Sequence, residues 1–509
     1  MQWLNKIADE VIAAHPAGDI LVSSGVSPSG VYHVGTLREV LTADAIMLML
    51  RERGRDATHI HVVDDLDPLR KVPAGEPEEF EKYFGMSLID VPSPDGKAAS
   101  WADYYFKDFD KSAKKLGLEM DVMRAHKKYQ AGFFVPAIEK VLGGIDKARQ
   151  VITDVSGRSL DDSWSPIQIK EDNYLKSRKF LSLDTANKTV QYEDKNGQTK
   201  DINYAKGDVK LYWRLDWPAR WWLLGVDVEP FGRDHATKGG SYDTGVGLMK
   251  KIFADKAPVP VPYNFINRTG QTKKMSKSTG DTLAISDMLE ILPPEVLRYF
   301  VLRYSPDKLL FFDETDGVVK LIDDFAELLA KEDKTTEDEL LIRISLGNIP
   351  ETTISNIPFS HLVASYQAAL KDPETTLDII RRTEHKATVD KQEEIIKKEL
   401  KFIDNWLKNW APDDVKFELA AKPPKTVSEP EREFLQGLAA KIEKAPKEAD
   451  GEWFHKAIYE FKDTTGLAPK QLFSSLYKAL IDQEHGPRAG WFLSILPRDF
   501  LIKRLNLEA

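Results

Sequence analysis

In the first part of the chain, apolar positions fall in short blocks divided by polar loops. From about residue 286 they spread into a helical period. MQWLNKIADEVIAAHP carries apolar residues at helical spacing with acids between them, which predicts an amphipathic N-terminal helix. Residues 19–25 form a short apolar run ending in small residues and predict a buried strand. Pro28 and Gly30 then punctuate a turn, and 34–53 predicts a helix with Leu37, Val40, Leu41, Ala45, Met47 and Leu48 as its apolar positions. A second strand is predicted at 57–65, ending in acids. Strand, loop, helix and strand make a βαβ unit, so the fold class expected is α/β, with a Rossmann-like parallel-sheet catalytic domain. In such sheets ligands bind beyond the carboxyl ends of strands, where Asp64, Asp65 and Asp67 fall.

Residues 78–144 read as mostly helical. Between 151 and 207 short strands are predicted at 179–183 and 188–192, with a turn at Asn196-Gly197, which suggests a small β-rich insertion between two halves of the main domain. The stretch LYWRLDWPARWWLLGVDVEPFGRDHA holds Trp213, Trp217, Trp221 and Trp222. It suits an aromatic pocket wall, with at least two of the four serving helix packing and Asp216 pairing with Arg214 or Arg220. A further strand is expected at 260–268. The region after 286 predicts helices broken near Pro350, Pro358, Pro412 and Pro423-Pro424.

Composition narrows the class. The 509 residues exceed a single core and imply several domains. No apolar run reaches the length of about 18 residues that a membrane span needs, and the N-terminus lacks the pattern of a signal peptide. There are no cysteines, which removes disulfides, thiolate zinc sites and cysteine nucleophiles. A cytoplasmic location fits. The net charge of −10 disfavours a coat of nucleic acid but not a polynucleotide gripped by local basic patches.

Two stretches carry the chemistry. Pro28-Ser29-Gly30-Val31-Tyr32-His33-Val34-Gly35-Thr36 opens a helix whose N–H groups and dipole favour phosphate, with His33 as a donor and Gly35 allowing a flat base to approach. Lys273-Lys274-Met275-Ser276-Lys277-Ser278-Thr279-Gly280 reads as a loop of cations able to stabilise a departing pyrophosphate. Together they describe a grip on a nucleoside triphosphate, with Mg2+ accompanying it.

HVGT and KMSKS resemble the paired signature elements of class I aminoacyl-tRNA synthetases. SGVSPSGVYHVGTLRE, DDLDPLRKVP, KLYWRLDWPARW, EPFGRDHATKGGSYD and GPRAGWFLSILPRDFLIKRL further resemble the archaeal-type lysyl branch, across essentially the whole chain. The resemblance implies activation of L-lysine with ATP to lysyl-adenylate, then transfer to the terminal adenosine of tRNA(Lys). It places Pro28, Gly30, His33, Gly35 and Thr36 with Lys274, Met275, Ser276 and Lys277 around ATP, and His33, Lys274 and Lys277 as catalytic. It places Gly25 and Ser27, Asp64 and Asp65, and Trp213, His235 and Tyr263 around the lysine.

Thr36 stands where the first signature has histidine, and Lys277 restores the general class I form of the second. The family's cysteine knuckles are missing from the insertion, so no zinc and no other resident metal is expected. The domains expected are the first catalytic half at 1–150, the insertion at 151–210, the second half with the lysine loop at 211–285, a helical connection at 286–345 and a helical anticodon-binding region at 346–509. Phe473, Tyr477, Arg488, Trp491 and Phe492 are candidates for reading RNA bases, with closure of the last helical bundle the favoured role of Trp491 and Phe492. The protein is expected to act as a monomer. The alternatives are another class I specificity, glutamyl above all, a small-molecule nucleotidylyltransferase, or a non-aminoacylating RNA-binding paralogue.

Overall fold

Three strands open the central sheet: β1 (Ile20–Val26), β2 (Ala57–Val63) and the short β3 (Asp121–Arg124). The computed structural model describes residues 1–157, 159–160, 164–270, 283–447 and 449–508. The insertion contributes β4 (Ile167–Glu171), β5 (Tyr174–Ser177), β6 (Lys179–Asp184), β7 (Thr189–Glu193), β8 (Thr199–Asn203) and β9 (Val209–Leu211). The chain then returns to the sheet with β10 (Val228–Gly232) and β11 (Val259–Tyr263). The order is β11-β10-β1-β2-β3, all parallel. Strand order reverses at β1 and β10, which is where a doubly wound sheet forms its ligand crevice.

The α/β reading from sequence holds. Two details differ. β3 lies in a stretch read as helical: it is a four-residue edge strand, largely exposed, so it has no apolar run to announce it. The strand read at 260–268 divides into β11, in the main sheet, and β12 (Ile266–Arg268), which pairs with β13 (Leu310–Phe312). Pro260 and Pro262 fit β11 because it is an edge, where missing N–H groups cost no ladder bonds.

The described residues form two compact units: Met1–Leu289 with Leu297–Phe312 and Lys334–Pro350, and Glu290–Val296 with Asp313–Asp333 and Glu351–Ala509. In the first, the helix Val34–Glu52 is buried on nearly every side, including Arg38, Glu39 and Asp44. Buried polar groups need partners. Arg38 donates to the carbonyls of Val301, Ser305, Pro306 and Lys308. Asp44 accepts from the fully buried Arg298 at 2.6 Å.

The insertion is two small antiparallel sheets, β5-β4-β9 and β6-β7-β8. The Asn196-Gly197 turn is pinned by Asp194, whose Oδ1 accepts from the N–H groups of Asn196 and Gln198 at 2.8 and 3.0 Å, with Gly197 at φ +76°. The second unit is helical. Its core includes Phe434, Leu438, Leu472, Leu476, Phe492 and Leu501. Trp491 and Tyr477 are buried in the same core, so three of the aromatics considered for base reading close the bundle instead. Among the described residues, no helix is long and apolar enough to cross a membrane.

Replacing Asp44 with alanine leaves the Arg298 guanidinium charged and dry. The expected loss is about 3–5 kcal/mol, read as a lower urea midpoint for the first unfolding transition of the intact chain.

Candidate active site

β1 pairs with β2 along seven residues but with β10 only at Val22↔Val228. Beyond that point the two strands part. Pro230 in β10 has no N–H to offer the ladder, and the side chain of Ser23 reaches Glu229 instead, at 3.3 Å. A pocket of about 380 Å³ lies in the gap, at the carboxyl ends of the strands. Its walls come from 23–27 on one side, 229–235 on the other, and the start of the helix Val34–Glu52.

His33 is the N-cap of that helix. Its Nδ1 accepts from the Gly35 N–H at 3.0 Å. A neutral imidazole accepting at Nδ1 carries its proton at Nε2, so Nε2–H is the donor the ring presents. A Cβ on residue 35 would sit 2.7 Å from His33 Cε1. The room that glycine makes is thus taken by the imidazole, where the sequence reading assigned it to a base. Thr36 is buried in the pocket wall with its N–H on the His33 carbonyl at 2.8 Å. Pro28 and Gly30 are buried in the preceding turn and do not line the pocket.

Lys274, Met275, Ser276 and Lys277 lie outside the described residues. Their flanks are in view. Ile266, upstream, is in the pocket wall. Downstream, Val34 donates to the Leu283 carbonyl at 3.0 Å, Ile285 donates to the Tyr32 carbonyl at 3.1 Å, and His33 bridges Ala284. The segment that follows the lysine stretch is therefore stitched to the histidine stretch by backbone bonds.

The acids at the end of β2 divide their work. Asp65 is fully buried and points away from the pocket. It accepts from Arg124 Nε at 2.5 Å and from the ring and backbone of His126 at 2.6 and 2.8 Å. The sequence reading placed it against a ligand ammonium, but Asp65 lies in the turn after β2, where Arg124 and His126 take its carboxylate. Asp64 does line the pocket, yet Arg220 holds it at 2.5 Å and Lys210 at 3.5 Å. Burial pushes the Asp64 carboxyl up, the two cations outweigh it, and it rests at about 2. Arg220 also pairs with Asp216, which takes the Tyr129 hydroxyl, and Lys210 reaches Asp67 at 2.7 Å. This buried chain of charges ties the insertion's last strand and the helix Trp213–Leu224 to the end of β2.

Two other carboxylates face the pocket without a direct ion pair among the described residues, although the charge of Arg220 is felt by one of them, Glu229. Glu39 accepts from the Gly25 N–H and the Tyr263 hydroxyl, both at 2.7 Å. Burial pushes it up to about 8, against the downward pull of those two donors. Glu229 accepts from the indole N–H groups of Trp217, at 3.1 Å, and Trp221. Burial raises it too. Trp213, Trp217 and Trp221 recur every four residues and so share one helix face. Trp213 and Trp217 stack at 5.9 Å, and His235 lies 5.5 Å from each. Trp222, on another face, stacks on Phe253, and Trp221 is buried in the core, so at least two of the four tryptophans serve packing, as expected.

Of the residues anticipated around an amino acid, Gly25, Ser27, Asp64, Trp213, His235 and Tyr263 converge on this pocket and Asp65 does not. Glu39 and Glu229 were missed. Glu39 hides in a helix, and Glu229 sits in a strand whose proline and glycine conceal it. Chemically, one end of the pocket offers acids and aromatic faces to a cation, and the other offers a helix N-terminus and a histidine donor to an anion.

A family model described as tRNA synthetases class I (K) matches residues 1–345. The chain is 36% identical to lysine–tRNA ligase 1 of Methanosarcina acetivorans, over 99% of this chain and 98% of that protein. It is 34% identical to lysine–tRNA ligase of Archaeoglobus fulgidus, over 99% of both, and 33% identical to that of Pyrococcus horikoshii, over the whole of both. A solved glutamate tRNA ligase from Elizabethkingia meningosepticum is 13% identical and covers 96% of this chain and 99% of its own, with a TM-score of 0.44, a superposition too loose to carry argument. The family match over the pocket-bearing region and the full-length relatives place the chain in the lysine-type class I aminoacyl-tRNA synthetases.

Proposed function

We propose that this protein is a lysine–tRNA ligase, which activates L-lysine with ATP and transfers it to the 3′-terminal adenosine of tRNA(Lys). The observation that carries the specificity is the pair of buried carboxylates, Glu39 and Glu229, set among Trp213, Trp217 and Tyr263 without a direct ion pair among the described residues. A lysine ε-ammonium satisfies them. A glutamate side chain would meet two acids of its own sign, which argues against the glutamyl alternative. Relatives named lysine–tRNA ligase over the full chain support the same reading.

In this reading the lysine carboxylate oxygen attacks the α-phosphorus of ATP and pyrophosphate leaves. A hydroxyl of the terminal adenosine then attacks the lysyl carbonyl and releases AMP. The protein contributes position and charge rather than a nucleophile. His33 donates from Nε2 to a phosphate oxygen, and Thr36 and the helix N-terminus face the same group, with the turn at Pro28 and Gly30 holding them in place. Lys274 and Lys277, with Met275 and Ser276 between them, neutralise the departing pyrophosphate. Gly25, Ser27, His235 and Tyr263 surround the amino acid. Asp64 acts at one remove, by fixing Arg220. Mg2+ enters with the triphosphate. Since Asp64 is already held by Arg220 and Lys210, the ion's ligands come mainly from phosphate and water.

The insertion needs no zinc in this reading: the chain has no cysteine, and Asp194 closes the turn between β7 and β8. The helical region 346–509 reads the anticodon, and the enzyme acts as a cytoplasmic monomer. With Trp491 and Phe492 committed to the core, the base-stacking surface falls to half-buried Phe473 beside exposed Tyr459 and His455.

Purified protein should catalyse lysine-dependent exchange of pyrophosphate into ATP. Exchange with glutamate and not lysine overturns the assignment. Lys277→Ala should slow exchange by about 100-fold or more while tRNA affinity, measured by filter binding, stays within a factor of two or so. A normal exchange rate removes Lys277 from the chemistry.

Lysine affinity should depend on pH through Glu39. Held at about 8 in the free protein, Glu39 is largely protonated below that pH and must lose its proton to pair with the ammonium. Affinity therefore rises with pH by up to about tenfold per unit until about pH 8, then levels off. In calorimetric titrations Glu39→Gln should bind lysine weakly and without this slope. An unchanged slope in that variant assigns the titration elsewhere.

A further inference from the structure

The second unit brings together His361, Glu384 and His385, whose candidate ligand atoms all lie within 4.8 Å of one another. His361 belongs to the helix Phe359–Ala368, and the other two immediately precede the helix Lys386–Asn409. We propose that these three side chains form a site for a divalent transition metal of the zinc class, which clamps the two helices together. The site is distinct from the pocket that takes lysine and ATP, and nothing in the proposed reaction uses it.

The geometry supports an ion rather than a chance meeting. A tetrahedral metal with bonds of about 2.0–2.1 Å sets its ligand atoms about 3.3 Å apart. His361 Nδ1 lies 3.2 Å from His385 Nε2, and His385 Nε2 lies 3.6 Å from Glu384 Oε1. Two edges of the coordination figure are therefore present. The third needs only a small movement of Glu384, which is exposed and free to rotate. Two imidazoles and a carboxylate are a borderline-soft set that suits zinc and leaves a position for water.

The surroundings hold the ligands in place. The His361 ring stacks on Trp491 at 4.1 Å and 18°, which fixes its plane. A metal binds both rings in their neutral form. Arg488 is an opposing charge nearby. The adjoining cavity of about 610 Å³ offsets it, since Asp316, Asp323, Asp324, Glu327 and Asp414 line it against Lys320 and Arg488. That balance attracts cations and repels phosphate.

The absence of cysteine knuckles from the insertion predicts no metal there. This site lies elsewhere and uses no sulfur. It is tested with untagged full-length protein, stripped by a chelator and titrated with Co2+. The expected result is one equivalent bound with the strong visible absorption of four-coordinate Co2+, displaced by Zn2+. His361→Asn, His385→Asn and Glu384→Gln should each weaken binding at least tenfold, with lysine-dependent exchange unchanged. Glu384→Gln alters an exposed side chain, so its effect is free of misfolding. Failure of the intact protein to retain Co2+, or equal retention by all the variants, overturns the proposal and leaves the two histidines as a hydrogen-bonded pair.

Discussion

The parting of β1 from β10 after a single residue pair governs this molecule. A parallel sheet normally saturates its backbone groups strand to strand. Here the ladder stops at Val22↔Val228, and side chains complete the pairing: Ser23 with Glu229, and Glu39 with the Gly25 N–H. The opening between the strands becomes the pocket. Its acids are thus partly structural: Glu39 accepts a backbone N–H of β1, and Glu229 ties the Ser23 hydroxyl to the tryptophan helix. Dry carboxylates with no cation bonded to them are also what a cationic ligand requires.

Holding such a gap open needs rigid walls. The buried chain Lys210–Asp64–Arg220–Asp216–Tyr129 connects the end of β2, the last strand of the insertion and the tryptophan helix. Each charge in it has an opposite partner, which is the condition for burying ions without a large penalty. Asp64 is held ionised by its cations, while Glu39, in a dry corner of the same pocket, is held near neutrality. One pocket therefore contains carboxylates of opposite habit: one fixes architecture and the other responds to a ligand.

The same logic separates the two halves of the grip. His33 caps a helix and receives the Gly35 N–H, so its tautomer is set before any ligand arrives. The chain after the lysine stretch returns to pair with Tyr32 and Val34. Backbone hydrogen bonds thus hold residues 283–285 beside the histidine stretch, although most of the pocket's residues lie between the two in sequence.

The sequence by itself determined the α/β class, the helix starting at Val34, the β-rich insertion and the helical tail, because apolar period and turn residues are local signals. It also marked His33, Trp213, His235 and Tyr263 through recognisable stretches. It did not reveal β3, an edge strand held by its neighbour, or the role of Glu39 and Glu229, whose hydrogen-bond partners come from three other elements. It read Asp65 as a ligand and left Trp491 and Phe492 between RNA contact and bundle closure, since composition does not say which way a side chain faces. The histidine pair His361 and His385 was invisible for the same reason. Burial, charge pairing and tautomer depend on what packs against a residue from distant parts of the chain, and only the tertiary structure decides that.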